Sequence, residues 1–159
     1  MVEPMFDLET LLSPRHILPR VKARCQRDGF RRIAEAMADE VGATPEEILE
    51  ALLERERLGS TALGDGVAVP HARLPDLDRM VGGLVQLDPA LDFEAVDGKP
   101  VDLAFVLLAP EAAGSEHLRA LAKVARIFRD KALVASLRAA DNADAMQAVL
   151  VEHQASHAA

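Results

Sequence analysis

The chain has 159 residues, half of them hydrophobic, which suits one compact domain burying roughly 70% of its unfolded-chain surface. Its net charge of −8 and its lack of Trp and Tyr exclude a nucleic-acid partner, because phosphate backbones are held by clustered Lys and Arg and unpaired bases by aromatic stacking. The single cysteine, Cys25, excludes an internal disulfide, so a reducing, cytoplasmic setting is expected.

The N-terminal segment MVEPMFDLETLLSPRH is acidic where a secretory signal is basic, and it lacks a continuous apolar block. The longest apolar run, Leu103 to Ala109, stops at Pro110, well short of the ~20 residues that span a bilayer. Neither export nor membrane insertion is expected. Charge is unevenly spread: residues 1–32 hold seven basic and four acidic side chains, leaving 11 basic and 22 acidic for the rest. Such a basic N-terminal third reads as a solvated face or as a docking surface for an acidic partner.

In chain order, Phe30, Ile33, Ala34, Met37, Ala38 and Val41 follow the spacing of one helix face, with Gly42 as the C-terminal cap. Thr44-Pro45-Glu46-Glu47 gives an N-cap, a proline at the first helical position and a capping-box glutamate, so a second helix is expected to run to about Arg57. The glycine-spaced segment Gly59 to Gly66 leads into a short strand, Val67-Ala68-Val69, and then an exposed turn at Pro70-His71. Val81 to Leu87 and Val101 to Leu108 are short, almost wholly apolar runs of strand length, the second introduced by Asp97-Gly98. Helices are expected over about 116–128, 131–138 and 142–152, with Asp130 and Asn142 as caps. Helices before, between and after buried strands predict an α/β fold, a single domain in which a mixed β-sheet is flanked by helices on both faces.

Several chemistries fail on their spacing. Gly59 to Gly64 begins like a phosphate-cradling loop, but Asp65 stands where the lysine is needed and would repel phosphate. No dinucleotide fingerprint or nucleophile elbow is present. His153 and His157 are spaced like two metal ligands, but they fall in a terminal segment without a third ligand and read as a frayed tail. No metal site and no cofactor are expected.

Three residues stand out instead. Pro70 fixes its own φ and pushes Val69 into extended backbone, so His71 is delivered in a defined direction at a strand end. Such a histidine is either a reagent or a structural cap, and ten residues do not distinguish the two. With Ser115 as N-cap, His117 lies in the first helical turn and shares a stripe with Leu121, Val124 and Phe128, facing inward from a terminus that attracts anions and disfavours imidazolium. Arg55 falls within the apolar sector of its helix, with Ile48, Ala51, Leu52 and Leu58, and an inward arginine requires an anion or a carboxylate such as Glu56.

Leu53-Glu54-Arg55-Glu56-Arg57-Leu58-Gly59-Ser60-Thr61, Gly66-Val67-Ala68-Val69-Pro70-His71, the run from Pro100 to Leu108, and His117-Leu118 together resemble the enzyme IIA domain of the fructose/mannitol type in the bacterial phosphoenolpyruvate-dependent phosphotransferase system. The resemblance is nearest to its stand-alone nitrogen-regulatory branch and spans about Phe6 to Leu150. It implies an enzyme IIA type-2 domain over residues 5–152 and a C-terminal tail at 153–159. It also implies that His71 accepts a phosphoryl group from the phosphohistidine of a small carrier protein, with His117 and Arg55 as the second histidine and the arginine of the active site. Ser60 and Thr61 are expected near the phosphate or the partner. Many members carry glycine after the phosphorylated histidine; here Ala72 and Arg73 follow, and Arg73 is expected to add a phosphate or partner contact. With no permease segment in the chain, the implied role is phosphorylation-dependent regulation of other proteins. The same chemistry in a soluble sugar-transporter component, and a non-catalytic interaction module, are the alternatives.

Overall fold

The computed structural model describes residues 8–157. Helix α1 (Leu8–Leu11) runs directly into strand β1 (Leu12–Val21), followed by α2 (Gln26–Val41) and α3 (Pro45–Arg57). Three short strands come next, β2 (Ala62–Gly64), β3 (Val67–Ala68) and β4 (His71–Leu74), then the long strands β5 (Val81–Leu91) and β6 (Val101–Pro110). A 3₁₀ turn over Glu111–Ala113 leads to α4 (Ser115–Ile127), α5 (Lys131–Ala139) and α6 (Ala143–His157).

The six strands form one mixed sheet in the order β1-β5-β6-β3-β2, with β4 also paired to β6. β1 runs parallel to β5, β5 antiparallel to β6, and β3 and β4 both parallel to β6. The register of the last two is one continuous line: Val67 and Ala68 face Leu103 and Ala104, and His71 faces Leu107. Pro70, which has no N–H to give, interrupts the strand without shifting it. Its carbonyl still accepts from the Leu107 N–H at 2.9 Å.

Apolar side chains fill both sides of the sheet, as the α/β expectation requires. On one side Ile33 and Met37 of α2 and Ile48 and Leu52 of α3 pack with Val85, Val106 and Ala72. On the other, Val124 of α4, Leu137 of α5 and Met146 of α6 pack with Leu84, Phe105 and Val67. Alternate residues along β3 and β4 therefore belong to opposite layers, Val67 and Val69 to the second and Ala68, Ala72 and Leu74 to the first. His71 and Arg73 fall on the α4 side. Among the described residues no helix is long and apolar enough to cross a membrane.

The structure departs from the sequence expectations in four places. β1 was not foreseen: register shifts interrupt its pairing with β5, and Pro14 and Pro19 obscure its alternation. α2 begins at Gln26 rather than Phe30; Gly29, which weakens a helical reading, is the point where a side chain would press on Leu91 at 3.2 Å. His71 opens a paired strand instead of standing in an exposed turn. Finally, α6 runs on past 152, so His153 is no frayed residue: its Nε2 lies 3.1 Å from the Asp130 carboxylate, which also caps α5 by accepting from the Ala132 and Leu133 N–H groups. The boundary expected at residue 5 and the side chain of His157 lie outside the described residues.

The basic N-terminal third is largely ion-paired at the surface. Arg24, Arg27 and Arg31 meet Asp28, Glu50 and Glu46, and Arg20 meets Asp141. Exposed pairs of this kind contribute little stability.

One close approach leaves no room for a side chain at one position of β5. A Cβ on Gly82 of β5 would stand 2.7 Å from the Phe105 ring of β6 and 3.4 Å from the Leu11 carbonyl. Gly82→Ala is expected to destabilise the fold by about 1–3 kcal/mol through overpacking. Urea denaturation checks this: a lowered midpoint at unchanged slope is expected, and an unchanged midpoint would show that Phe105 gives way freely.

Candidate active site

The sheet edge determines how His71 is presented. A residue's N–H and C=O point to the same side of a strand, and the Val69 N–H is taken by the Thr61 carbonyl at 3.0 Å. The Val69 carbonyl thus faces away from β6, where it meets Nδ1 of His71 at 3.0 Å. A carbonyl only accepts, so Nδ1 carries the proton and Nε2 keeps its lone pair. Nε2 in turn accepts from Nε of Arg55 at 3.1 Å.

Arg55 comes from α3, which packs on the opposite layer, and it meets His71 around the open edge formed by β4. A second bond, from Nη1 to the Gly59 carbonyl at 2.9 Å, folds the end of α3 back and fixes the guanidinium. Glu56, the competing partner for Arg55, instead faces away: its carboxylate accepts from the Thr61 hydroxyl and from Gln26. The Ser60 hydroxyl donates to the Phe93 carbonyl at 2.7 Å. Ser60 and Thr61, expected near the phosphate, are therefore engaged in tying the loop after α3 to its surroundings. Leu58, expected in the apolar sector of that helix, caps it instead and is 83% exposed.

His117 is the third residue of α4 and is only 4% exposed. Gly114, with φ of 57°, takes the N-cap position expected for Ser115. This positive φ favours glycine and turns the chain so that α4 starts with His117 beneath the sheet edge. The His71 and His117 rings stand edge to face, centroids 5.6 Å apart. Arg73, on the same face of β4 as His71, donates from Nε to Nδ1 of His117 at 3.0 Å and from Nη2 to the Gly114 carbonyl at 3.3 Å. Nε2 of His117 is buried with no hydrogen-bond partner among the described residues. Ala72 between the two has ordinary strand backbone and packs into the α2 and α3 layer, so this position makes no demand for glycine.

Both imidazoles are held neutral. Burial lowers the pKa of His71, the Arg55 charge adds to this, and the bond to Val69 partly opposes it. Burial also lowers His117, joined by the neighbouring His71 and Arg73, from the ordinary 6.5 to about 4. The positive end of the α4 dipole acts in the same direction.

A cleft of about 410 Å³ lies over this group, lined by Ala51, Arg55, His71, Arg73 and His117, with Leu58 and Leu118 among its walls. Leu118 is 64% exposed. A second cavity of similar size opens near the far end of α4, but it has no histidine, and its Lys99 and Arg138 are paired with Asp65 and Asp102. The first cleft therefore unites the His71 imidazole with its Nε2 lone pair, two guanidinium groups and one buried ring nitrogen that has no partner among the described residues. The sequence exposed all four side chains. It gave no sign of the Val69, Gly59 and Gly114 carbonyls that aim them, because backbone acceptors have no residue signature; the apolar rim was signalled only by Leu118 following His117.

A family model described as phosphoenolpyruvate-dependent sugar phosphotransferase system, EIIA 2, matches residues 10–153. A nitrogen regulatory protein of Bradyrhizobium diazoefficiens is 45% identical over 140 residues, covering 88% of this chain and 92% of that one. Another from Pseudomonas aeruginosa is 38% identical over 151 residues, covering 94% and 98%. Among solved structures, the nitrogen regulatory protein IIA-Ntr of Neisseria meningitidis superposes with a TM-score of 0.84 at 34% identity, over 90% of this chain and 98% of that one. Family model, relatives and fold agree: the chain belongs to the enzyme IIA type-2 family of the phosphotransferase system, in its nitrogen-regulatory branch.

Proposed function

We propose that this protein is a cytoplasmic phosphocarrier that accepts a phosphoryl group on Nε2 of His71 from the phosphohistidine of a small carrier protein, and that other proteins read its phosphorylation state. The observation that carries this reading is the double anchoring of His71. Val69 holds the proton on Nδ1, so the lone pair of Nε2 is the one directed at the cleft beside Arg55.

In the proposed step, that lone pair forms a new N–P bond as the donor's N–P bond breaks, and the donor nitrogen recovers the bonding electrons. His71 keeps its Nδ1 proton, and the Val69 carbonyl supports the positive charge that the ring acquires. Phosphoryl transfer passes through a loose transition state served mainly by in-line positioning and by donors for the equatorial oxygens. Arg55 leaves its bond to Nε2 and moves onto those oxygens, and the Nε2–H of His117 is a second donor. The exposed Leu58 and Leu118 flanking the cleft suit a macromolecular donor, since apolar rims around a polar centre mark protein contacts. Once bound, the phosphate adds about −1.5 to −2 charges at neutral pH, by analogy with other phosphorylated side chains. That change in sign at the cleft is what a regulated partner reads.

Incubation with phosphoenolpyruvate, the general phosphotransferase enzyme and the carrier, followed by peptide mapping, is expected to place an acid-labile phosphate on His71. His71→Ala removes it without loss of fold. An unlabelled, folded wild type would contradict the proposal. His117→Ala is expected to slow transfer by roughly 100-fold, the usual loss for one preorganised donor, while leaving the phosphate on His71; wild-type rates would remove His117 from the site.

The neutral state of both rings sets a pH signature. Both folded-state pKa values lie below that of the unfolded chain, so the stability tied to the neutral rings is full above 6.5 and is lost as the pH falls toward 4. An NMR titration is expected to find the His117 midpoint near 4 and that of His71 below 6.5. A His117 midpoint at or above 6.5 would contradict the electrostatics of the cleft.

A further inference from the structure

We infer that Arg73 is a positioning residue for phosphoryl transfer, acting through His117: it holds Nδ1 of that ring so that the Nε2–H is the group offered to the phosphoryl oxygens. This rests on the phosphocarrier reading above and assigns Arg73 a role other than direct contact with phosphate or partner.

The geometry carries the inference. A guanidinium has five donors and no acceptor, and it does not lose its proton in proteins. With Nε of Arg73 at 3.0 Å from Nδ1 of His117, that ring nitrogen must be the acceptor. A neutral imidazole then has its only N–H at Nε2. The second arm of the fork, from Nη2 to the Gly114 carbonyl, ties the same guanidinium to the residue from which α4 starts, so the ring and its helix end are held by one side chain.

The far side of the ring explains what is being held. Nε2 of His117 is buried without a partner among the described residues, and leaving a buried donor unsatisfied costs free energy. A site that tolerates this in its resting state gains the missing bond when an acceptor arrives. A phosphoryl oxygen on His71 is such an acceptor, since the two rings stand edge to face at 5.6 Å. His71 and Arg73 are two residues apart on one strand and share its face, with Leu107 and Ala109 of β6 as their register partners. The strand that aims the nucleophile thus aims the holder of the assisting ring.

A double-mutant cycle tests this, read as the rate of phosphoryl acceptance from the phosphorylated carrier. Arg73 is largely exposed, so Arg73→Met is expected to fold, and Arg73→Gln supplies a second variant. In the otherwise native chain, removal of the fork is expected to slow acceptance about 10- to 100-fold, the scale of loss when an assisting group is misplaced. In the His117→Ala background the same change is expected to cost less than about twofold, because a positioning residue has nothing left to position. Equal costs in both backgrounds, or no cost in the native one, would overturn the inference and leave direct phosphate or partner contact. A second readout needs no phosphate: ring ¹⁵N shifts are expected to show His117 protonated at Nε2 and unprotonated at Nδ1, with the Nδ1 shift changing in Arg73→Met. A proton on Nδ1, or identical shifts in the two proteins, would also overturn it. A wild type that accepts no phosphoryl group would instead contradict the underlying phosphocarrier reading.

Discussion

The cleft depends on one hydrogen bond, from Nδ1–H of His71 to the carbonyl of Val69. It fixes which nitrogen keeps its lone pair, and it exists because of how the strand is broken. β3 and β4 follow a single register along β6, interrupted at a proline that has no N–H to give but still offers its carbonyl to Leu107. Val69 is thereby held in extended backbone with its N–H on Thr61, and its carbonyl faces the open edge, where the following histidine folds back onto it. A hairpin turn would have oriented neither ring nitrogen.

Around that bond, the two helical layers each supply one side of the site. α3, packed on one face through Ile48, Leu49 and Leu52, brings Arg55 around the sheet edge. α4, packed on the other through Ala120 and Val124, brings His117 from beneath. Neither helix touches the chemistry by its centre; each delivers a residue near its end, and each end is trimmed by a backbone carbonyl, Gly59 for Arg55 and Gly114 for Arg73. The electrostatics follow from the same placement. Burial and adjacent guanidinium groups favour the neutral form of both imidazoles, which under the proposed function leaves one to attack and the other to donate. Among the described residues nothing pairs with the buried Nε2 of His117.

Much of this fold was legible in the sequence where a local rule and the tertiary outcome coincide. Thr44 and Pro45 start α3, and the Thr44 hydroxyl accepts from the Glu47 N–H as the spacing requires; Asp130 caps α5 in the same way. The cores of β5 and β6 are almost wholly apolar, Gln86 of β5 being the buried exception, because both faces are covered. What was hidden is what tertiary context overrode. β4 contains His71 and Arg73 on one face, so its alternation reads as a polar turn, although Ala72 and Leu74 are buried on the other. β1 is obscured by its prolines and bulges, and the start of α2 by Gly29, which packs closely against Leu91. Among the site residues, the sequence exposed Arg55, His71 and His117 by their misfit with an apolar pattern or a strand end. The partner of Arg73 was invisible, since a strand residue and a helix residue 44 positions apart meet only in the folded chain.

The central claim, that the Val69 carbonyl selects Nε2 of His71 as the nucleophile, is tested most directly by NMR of the phosphorylated protein with ¹⁵N-labelled histidine. The account predicts a phosphorus–nitrogen coupling at Nε2 of His71 and a retained proton at Nδ1. Phosphate on Nδ1 of His71, or on His117, would contradict it.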